Sequence, residues 1–178
     1  MDYLNEEALI AAARKDPRAF RHFYDAHYQE VFLFVYRRTD DEAMSADITQ
    51  QVFLKALQNL NKYQYRGVSF VAWLLRIAAN ETAQYFRDTQ KMRVVNVEQS
   101  GIEAICDEDS SSAMEQRENV FKALKQLDAD SLELIEMRYF EKRSFKEIGA
   151  IKNITENNAK IKVHRILEKI RKFLPVVQ

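Results

Sequence analysis

Asparagine, lysine and arginine side chains are concentrated near the end of the chain, at spacings that suit the reading of duplex DNA. A helix predicted from Glu156 to about Leu174 has an apolar stripe. His164 lies off that stripe, as do six candidate DNA-binding residues: Asn157, Asn158, Lys160, Ile161, Lys162 and Arg165. Asn pairs bidentately with adenine, and Lys or Arg pairs with guanine, in the major groove. From residue 138 to 178 there are 11 basic and 4 acidic residues, which can neutralise phosphates. A solvated helix face would explain any one of these lysines, whereas the whole pattern favours DNA.

Aromatic and cationic residues form a second cluster in the first half of the chain. Its members are Tyr63, Tyr65, Arg66, Phe70, Trp73, Arg76 and Asn80. Aromatic faces next to cations suit single-stranded bases, which stack at about 1–3 kcal/mol each. Phe70 and Trp73 could equally fill a core, whereas a core role explains Tyr63 and Tyr65 less well because both lie in a predicted loop.

Several chemistries lack the residues that they need. The single cysteine, Cys106, allows no internal disulfide and no cysteine-based zinc site. The three glycines are too far apart for a phosphate-binding loop, and His22 and His27 do not have the i, i+4 spacing of two ligands on one helix face. There is no paired acid–base or nucleophile set, so an enzyme is the least favoured class, and we expect neither a metal nor a cofactor.

The elements that must position these residues are predicted to be helices. Only two prolines and three glycines interrupt the chain, which predicts an all-α protein. The apolar spacing predicts helices over 5–15, 18–38 and 41–60 and one that starts after Ser69. The third of these has its buried edge at Ile48, Val52, Phe53, Ala56, Leu57 and Leu60. Later helices are predicted to begin near 113 and after caps at Asp130, Ser144 and Thr155, with a tight turn at Asn153 and Ile154.

The charge is distributed unevenly, although 27 basic residues balance 27 acidic residues overall. Residues 92–112 have one basic and five acidic residues, no helical periodicity, and a polar run from Asp107 to Ser112. We therefore predict two small helical domains, 1–91 and 113–178, joined by a flexible acidic linker at 92–112, with a helix-turn-helix in the second. No apolar run is long enough to cross a membrane and the N-terminus is not a signal peptide, so the cytoplasm is the expected compartment.

Three motifs, in order, resemble the sigma-70 family of RNA polymerase sigma factors. Residues 47–57, DITQQVFLKAL, resemble the core-binding helix, and residues 69–80, SFVAWLLRIAAN, resemble the promoter-melting helix. SFKEIG at 144–149 and ITENNAKIKVHR at 154–165 resemble the two helices of the domain that reads the −35 element. The presence of these two domains alone is typical of the extracytoplasmic-function (ECF) group.

The resemblance implies a role for each cluster. Asp47, Gln50, Gln51 and Phe53 would contact core RNA polymerase. The aromatic cluster would capture and unstack the −10 element, and the six residues of the last helix would read the −35 element. The linker would thread toward the active-site and RNA-exit channels of the polymerase, and an anti-sigma factor is an implied partner. Gln51 stands where the family commonly has Glu, so the charge that this position contributes to core docking in the family is absent here. Asn157-Asn158 replaces a common Gly-Thr, so the −35 sequence does not transfer.

Two other classes remain open at this stage. A stand-alone helix-turn-helix regulator would explain residues 113–178 but would leave the aromatic loop and the Asp47 helix without a role. A helical adaptor that binds only proteins is the third class.

Overall fold

The structure is a computed structural model that describes residues 3–65, 67–90, 102, 105 and 113–172. The chain divides into two compact units, Met1–Val94 and Val95–Gln178. The described residues are helical and contain no strand, which confirms the predicted all-α fold with two helical domains. The boundary between the units falls within the predicted linker, most of which lies outside the described residues.

Four α-helices make up most of the described part of the first unit. These are α1 (Tyr3–Lys15), α2 (Arg21–Thr39), α3 (Glu42–Asn59) and α4 (Phe70–Thr89). Short 3-10 turns at Pro17–Phe20 and Leu60–Lys62 follow α1 and α3. The second predicted helix was placed at 18–38, but Pro17 and the Asp16 cap first form a separate 3-10 turn.

Helices α2, α3 and α4 pack against one another around a core of large apolar side chains. Phe23, Phe34, Val52, Leu74 and Leu75 are essentially inaccessible to solvent. Burial of one such side chain contributes about 1.5–3 kcal/mol. This core fixes the angle between α3 and α4, which carry the two candidate sites of the unit.

The second unit contains a helix-turn-helix. Its helices are α5 (Ala113–Lys125), α6 (Ala129–Ile135), α7 (Phe145–Lys152) and α8 (Glu156–Lys172), and α6 continues into a π-helical turn at Glu136–Phe140. The predicted cap at Asp130 is wrong. Asp128 caps α6 instead, because its carboxylate accepts hydrogen bonds from the backbone and hydroxyl of Ser131.

The caps at Ser144 and Thr155 are confirmed. Ser144 and Glu147 form a reciprocal capping box at the start of α7. The Thr155 hydroxyl accepts a hydrogen bond from the backbone N–H of Asn158 at 3.2 Å. Between the two helices, Asn153 adopts the left-handed conformation with φ 54° and its N–H donates to the Gly149 carbonyl, so the turn is where the sequence predicts it.

Candidate functional site

Helix α3 presents a polar face to solvent. Asp47, Gln50 and Gln51 are all exposed, and they occupy successive positions on the side of α3 that faces away from the core. Leu54 lies one turn beyond Gln50, and 49% of its surface is exposed. An apolar side chain bordered by amide and carboxylate groups can dock onto a partner protein. Leu54 is not among the residues predicted from the sequence, because its exposure is visible only in the structure.

Phe53 belongs to the core beneath this face and is not part of its surface. Only 4% of Phe53 is exposed, and its ring lies 4.9 Å from the Tyr24 ring and 6.4 Å from the Phe20 ring. Direct contact of Phe53 with a partner, as expected from the resemblance, therefore needs correction. The helical spacing of Phe53 relative to Ala56 already indicated that Phe53 is buried.

The aromatic cluster is divided between core and surface. Tyr63 is only 7% exposed, and its ring lies 5.1 Å from the Phe70 ring and 5.0 Å from the Trp73 ring. Phe70 is fully buried, Trp73 is half-buried and Tyr65 is 45% exposed. Tyr63 is therefore a core residue, although its position in a predicted loop made a core role the weaker explanation, while Tyr65 and part of Trp73 are accessible. Arg66 lies outside the described residues.

Buried Tyr63 sits in an environment that opposes its ionisation. Burial, and after it the nearby carboxylate of Glu6, raises the pKa of Tyr63 to about 12. The phenol is therefore neutral at physiological pH. It acts as a packing surface for Trp73 and Phe70 and not as an acid or base.

Helix α4 extends the accessible aromatic surface with polar groups. Trp73, Arg76 and Asn80 follow one another at intervals of three and four residues, which places them on one side of the helix. Arg76 is half-buried and Asn80 is exposed. The structure therefore places Trp73, Arg76 and Asn80 on one side of α4, and Tyr65 is exposed in the loop that precedes this helix.

Helix α8 carries the residues that the sequence predicts to contact duplex DNA. Asn157, Asn158, Lys160, Ile161 and Arg165 are exposed, and 41% of the Ile161 surface is accessible. The opposite side of α8 is buried through Ala159, Val163, Ile166 and Ile170. These five exposed residues thus lie off the stripe that anchors the helix, which leaves them accessible to a partner.

Two lysines near this face are engaged within the protein. The Lys152 ammonium lies 2.6 Å from a carboxylate oxygen of Asp130 and 2.6 Å from one of Glu133. Burial alone would lower the pKa of Lys152, but Glu133 and Asp130 outweigh it and raise that pKa. Lys162 Nζ lies 3.8 Å from the other Asp130 oxygen. Lys152 therefore stabilises the fold and is not available to a phosphate.

Among the residues that the structure describes, no group of three His, Cys, Asp or Glu side chains is arranged to hold a metal ion. In the same part of the chain, no helix is long and apolar enough to span a bilayer.

Two family models match the chain, one in each unit. Residues 23–92 match Sigma-70 region 2, and residues 123–172 match Sigma-70, region 4. The first match contains α2 to α4 with the Asp47 face and the aromatic cluster. The second contains the helix-turn-helix.

Similar proteins cover both units. RNA polymerase sigma factor CarQ of Myxococcus xanthus is 30% identical over 157 residues, which is 88% of this chain and 89% of CarQ. ECF RNA polymerase sigma factor SigW of Bacillus subtilis is 24% identical, with 98% of each chain covered. ECF RNA polymerase sigma factor BldN of Streptomyces coelicolor is 26% identical across 95% of this chain, which spans 65% of the longer BldN.

Two solved structures share the fold at 20% identity. One is CnrH in complex with the cytosolic domain of CnrY, with a TM-score of 0.60 over 94% of this chain and 95% of the other. The other is the sigma factor RpoE in complex with the anti-sigma factor NepR from Bartonella quintana, with a TM-score of 0.55 over 89% of this chain and 98% of the other.

Proposed function

Because this chain belongs to the sigma-70 family of RNA polymerase sigma factors, in its extracytoplasmic-function group, we propose that its two units divide the work of promoter-specific initiation. The protein binds core RNA polymerase and promoter DNA, and it directs the polymerase to promoters. The observation that supports this division is that the first unit has two exposed faces of different chemistry, on α3 and on the loop with α4, and the second unit has one, on α8.

The α3 face is the docking site for core polymerase. Asp47, Gln50 and Gln51 supply hydrogen bonds, and Leu54 supplies the apolar centre that most protein interfaces contain. Phe53 supports this face from below by fixing α3 against α2. Because Gln51 is uncharged, Asp47 is the only charged member of the set.

The exposed aromatic and polar residues of the loop and α4 capture the −10 element. A base must leave the stack before its edges can be read, and unstacking costs a few kcal/mol. Tyr65 and Trp73 would repay part of that cost by stacking, and Arg76 and Asn80 would hold the strand. Arg66 is assigned to the same task from the sequence alone.

The α8 face reads the −35 element as duplex. Asn157 and Asn158 lie at the start of the helix, where a recognition helix contacts base edges. Arg165 and Lys160 supply guanine or phosphate contacts, and Ile161 supplies an apolar contact. Lys162 contacts the same groove once its ion pair with Asp130 is replaced by an ion pair with a phosphate.

Regulation and location follow from the same assignment. The solved relatives are bound to CnrY and to the anti-sigma factor NepR, and we propose an anti-sigma factor for this chain as well. Sigma factors are initiation factors without catalysis, so the polymerase supplies the chemistry. We place the protein in the cytoplasm, where the polymerase works. We also propose that residues 92–112, most of which lie outside the described residues, are the linker and run toward the polymerase channels.

Run-off transcription with purified core polymerase and a genomic promoter library tests the proposal. We expect transcripts from a defined subset of promoters only when this protein is added. If no promoter in the library yields a transcript, the proposal is wrong.

The same protein without polymerase provides the second arm of this test. A stand-alone regulator would bind its duplex tightly alone, whereas a sigma factor binds it weakly until the polymerase is present. A gel-shift titration of the duplex with and without core polymerase separates the two classes.

A further inference from the structure

Helix α1 holds both ends of the loop that precedes α4. At the first end, the Arg14 guanidinium donates hydrogen bonds to the carbonyls of Leu60 at 3.3 Å and Tyr63 at 2.6 Å. At the other end, the Glu6 carboxylate accepts a hydrogen bond from the backbone N–H of Phe70 at 2.9 Å. Two residues of one helix thus bracket the segment 61–69.

The Glu6 contact replaces a cap that the loop does not supply itself. Ser69 occupies the N-cap position of α4, but its side chain makes no capping hydrogen bond. Glu6 is 5% exposed and lies at the helix N-terminus, where the unpaired N–H groups and the helix dipole favour a carboxylate. The position of the first turn of α4, with Phe70 and Trp73, therefore depends on α1.

The two anchors are fixed relative to each other. Glu6 and Arg14 are eight residues apart, or about 12 Å along the helix at 1.5 Å per residue. Ile10 and Ala13, which lie between them, are buried. Because α1 is a rigid helix packed on the core, it fixes the distance between the two ends of the loop as well as the position of each end.

We infer that α1 is a clasp that preorganises the loop for −10 capture, with Glu6 and Arg14 as positioning residues. The inference rests on the proposed function of the loop and α4. The matched region 2 begins at residue 23, so α1 lies outside it. A loop held in its binding shape loses less conformational entropy when it captures a base, which increases affinity and sharpens discrimination.

The test uses the full chain with core polymerase and promoters that share one −35 element and differ in single −10 bases. Glu6→Leu and Arg14→Met remove the two anchors. Glu6→Gln keeps a hydrogen-bond acceptor for the Phe70 N–H and loses only the charge, so it should lose less discrimination than Glu6→Leu. Glu7→Gln and Lys15→Met make the same charge changes at exposed neighbours.

We expect Glu6→Leu and Arg14→Met to reduce discrimination among −10 bases by about fivefold, as loss of one helix cap would. Polymerase affinity and −35 duplex binding should be unchanged. The only tryptophan, Trp73, lies against Tyr63, so its emission should shift in these two variants. A general loss of stability would instead reduce polymerase binding as well.

Each outcome decides one question. If the wild-type protein itself does not discriminate among −10 bases, the proposed function of the loop fails. If it discriminates and both anchor variants discriminate equally well, or if the Glu7 and Lys15 controls lose as much, the clasp is refuted. Should Glu6→Leu fail to fold, Arg14→Met decides alone, since Arg14 is an exposed residue.

Discussion

Gly149 of α7 approaches the carbonyl oxygen of Ile154 so closely that a Cβ atom at position 149 would lie 2.8 Å from it. The backbone N–H of Ile154 also donates to the Gly149 carbonyl at 2.9 Å. At this point the turn and the start of α8 pack against α7 through backbone atoms. No side chain larger than hydrogen fits between them without movement of the turn.

Gly149→Ala should destabilise the second unit by about 1–3 kcal/mol, the usual cost of overpacking. It should also weaken −35 duplex binding, because α8 would shift relative to α7. Denaturation followed by far-UV circular dichroism measures the stability. Lys146→Ala, on an exposed position of the same helix, is the control. Equal stability of the two variants would contradict the close approach.

Phe53→Ala should lower the stability of the protein, whereas Leu54→Ser should lower its affinity for the polymerase. Removal of the buried Phe53 ring should cost about 3–5 kcal/mol of stability. Leu54→Ser should leave the stability within about 0.5 kcal/mol of wild type, because the side chain is half-exposed, yet it should weaken polymerase binding. Thermal unfolding and a polymerase pull-down distinguish the two effects. Unimpaired polymerase binding by Leu54→Ser would exclude Leu54 from the docking face.

Lys152→Met should destabilise the second unit by about 1–3 kcal/mol, because Asp130 and Glu133 lose their shared cation. The further change Glu133→Gln should recover part of this loss, since it removes a buried charge that has lost the Lys152 ammonium. Chemical denaturation of the single and double variants measures both effects. A double variant that is less stable than Lys152→Met would be incompatible with this explanation.

The Lys152 contribution should also depend on pH. Because its pKa is raised above the ordinary value of 10.5, the stabilisation is fully present below pH 10.5 and is lost as the pH rises through the raised pKa. Wild type and Lys152→Met should therefore converge in stability at strongly alkaline pH. Denaturation at pH 7 and above pH 11 tests this, and a constant difference would count against it.

Arg165→Ala and Asp47→Ala should separate the two units functionally. Loss of Arg165 should weaken −35 duplex recognition by about 1–3 kcal/mol without an effect on polymerase binding. Asp47→Ala should do the reverse. Promoter binding by the assembled complex and polymerase affinity are the two measurements. Equal loss of polymerase binding in both variants would show that the units do not work separately.

Short-range signals predicted the structure best. Ser144 and Thr155 cap their helices because the partner N–H lies three residues away, and that spacing is visible in the sequence. The apolar spacing likewise predicted the all-α fold and the buried stripe of α8 at Ala159, Val163, Ile166 and Ile170.

Long-range contacts account for most of the differences. The cap of α4 comes from Glu6, which is 64 residues away from Phe70, and no local pattern indicates such a partner. Tyr63 lies in a loop, yet Phe70 and Trp73 enclose its ring. Asp130 was expected to cap α6, but its carboxylate faces Lys152 and Lys162 from other helices.

The proximity of Asp130 to Lys162 has a consequence for ionic strength. Lys162 already has an internal counterion, and its attraction to a phosphate must compete with that carboxylate. A lysine that is partly neutralised by its own protein gains less from the release of condensed cations on the DNA. The affinity for the −35 duplex should therefore fall less steeply with added salt than the number of lysines and arginines around α8 would suggest.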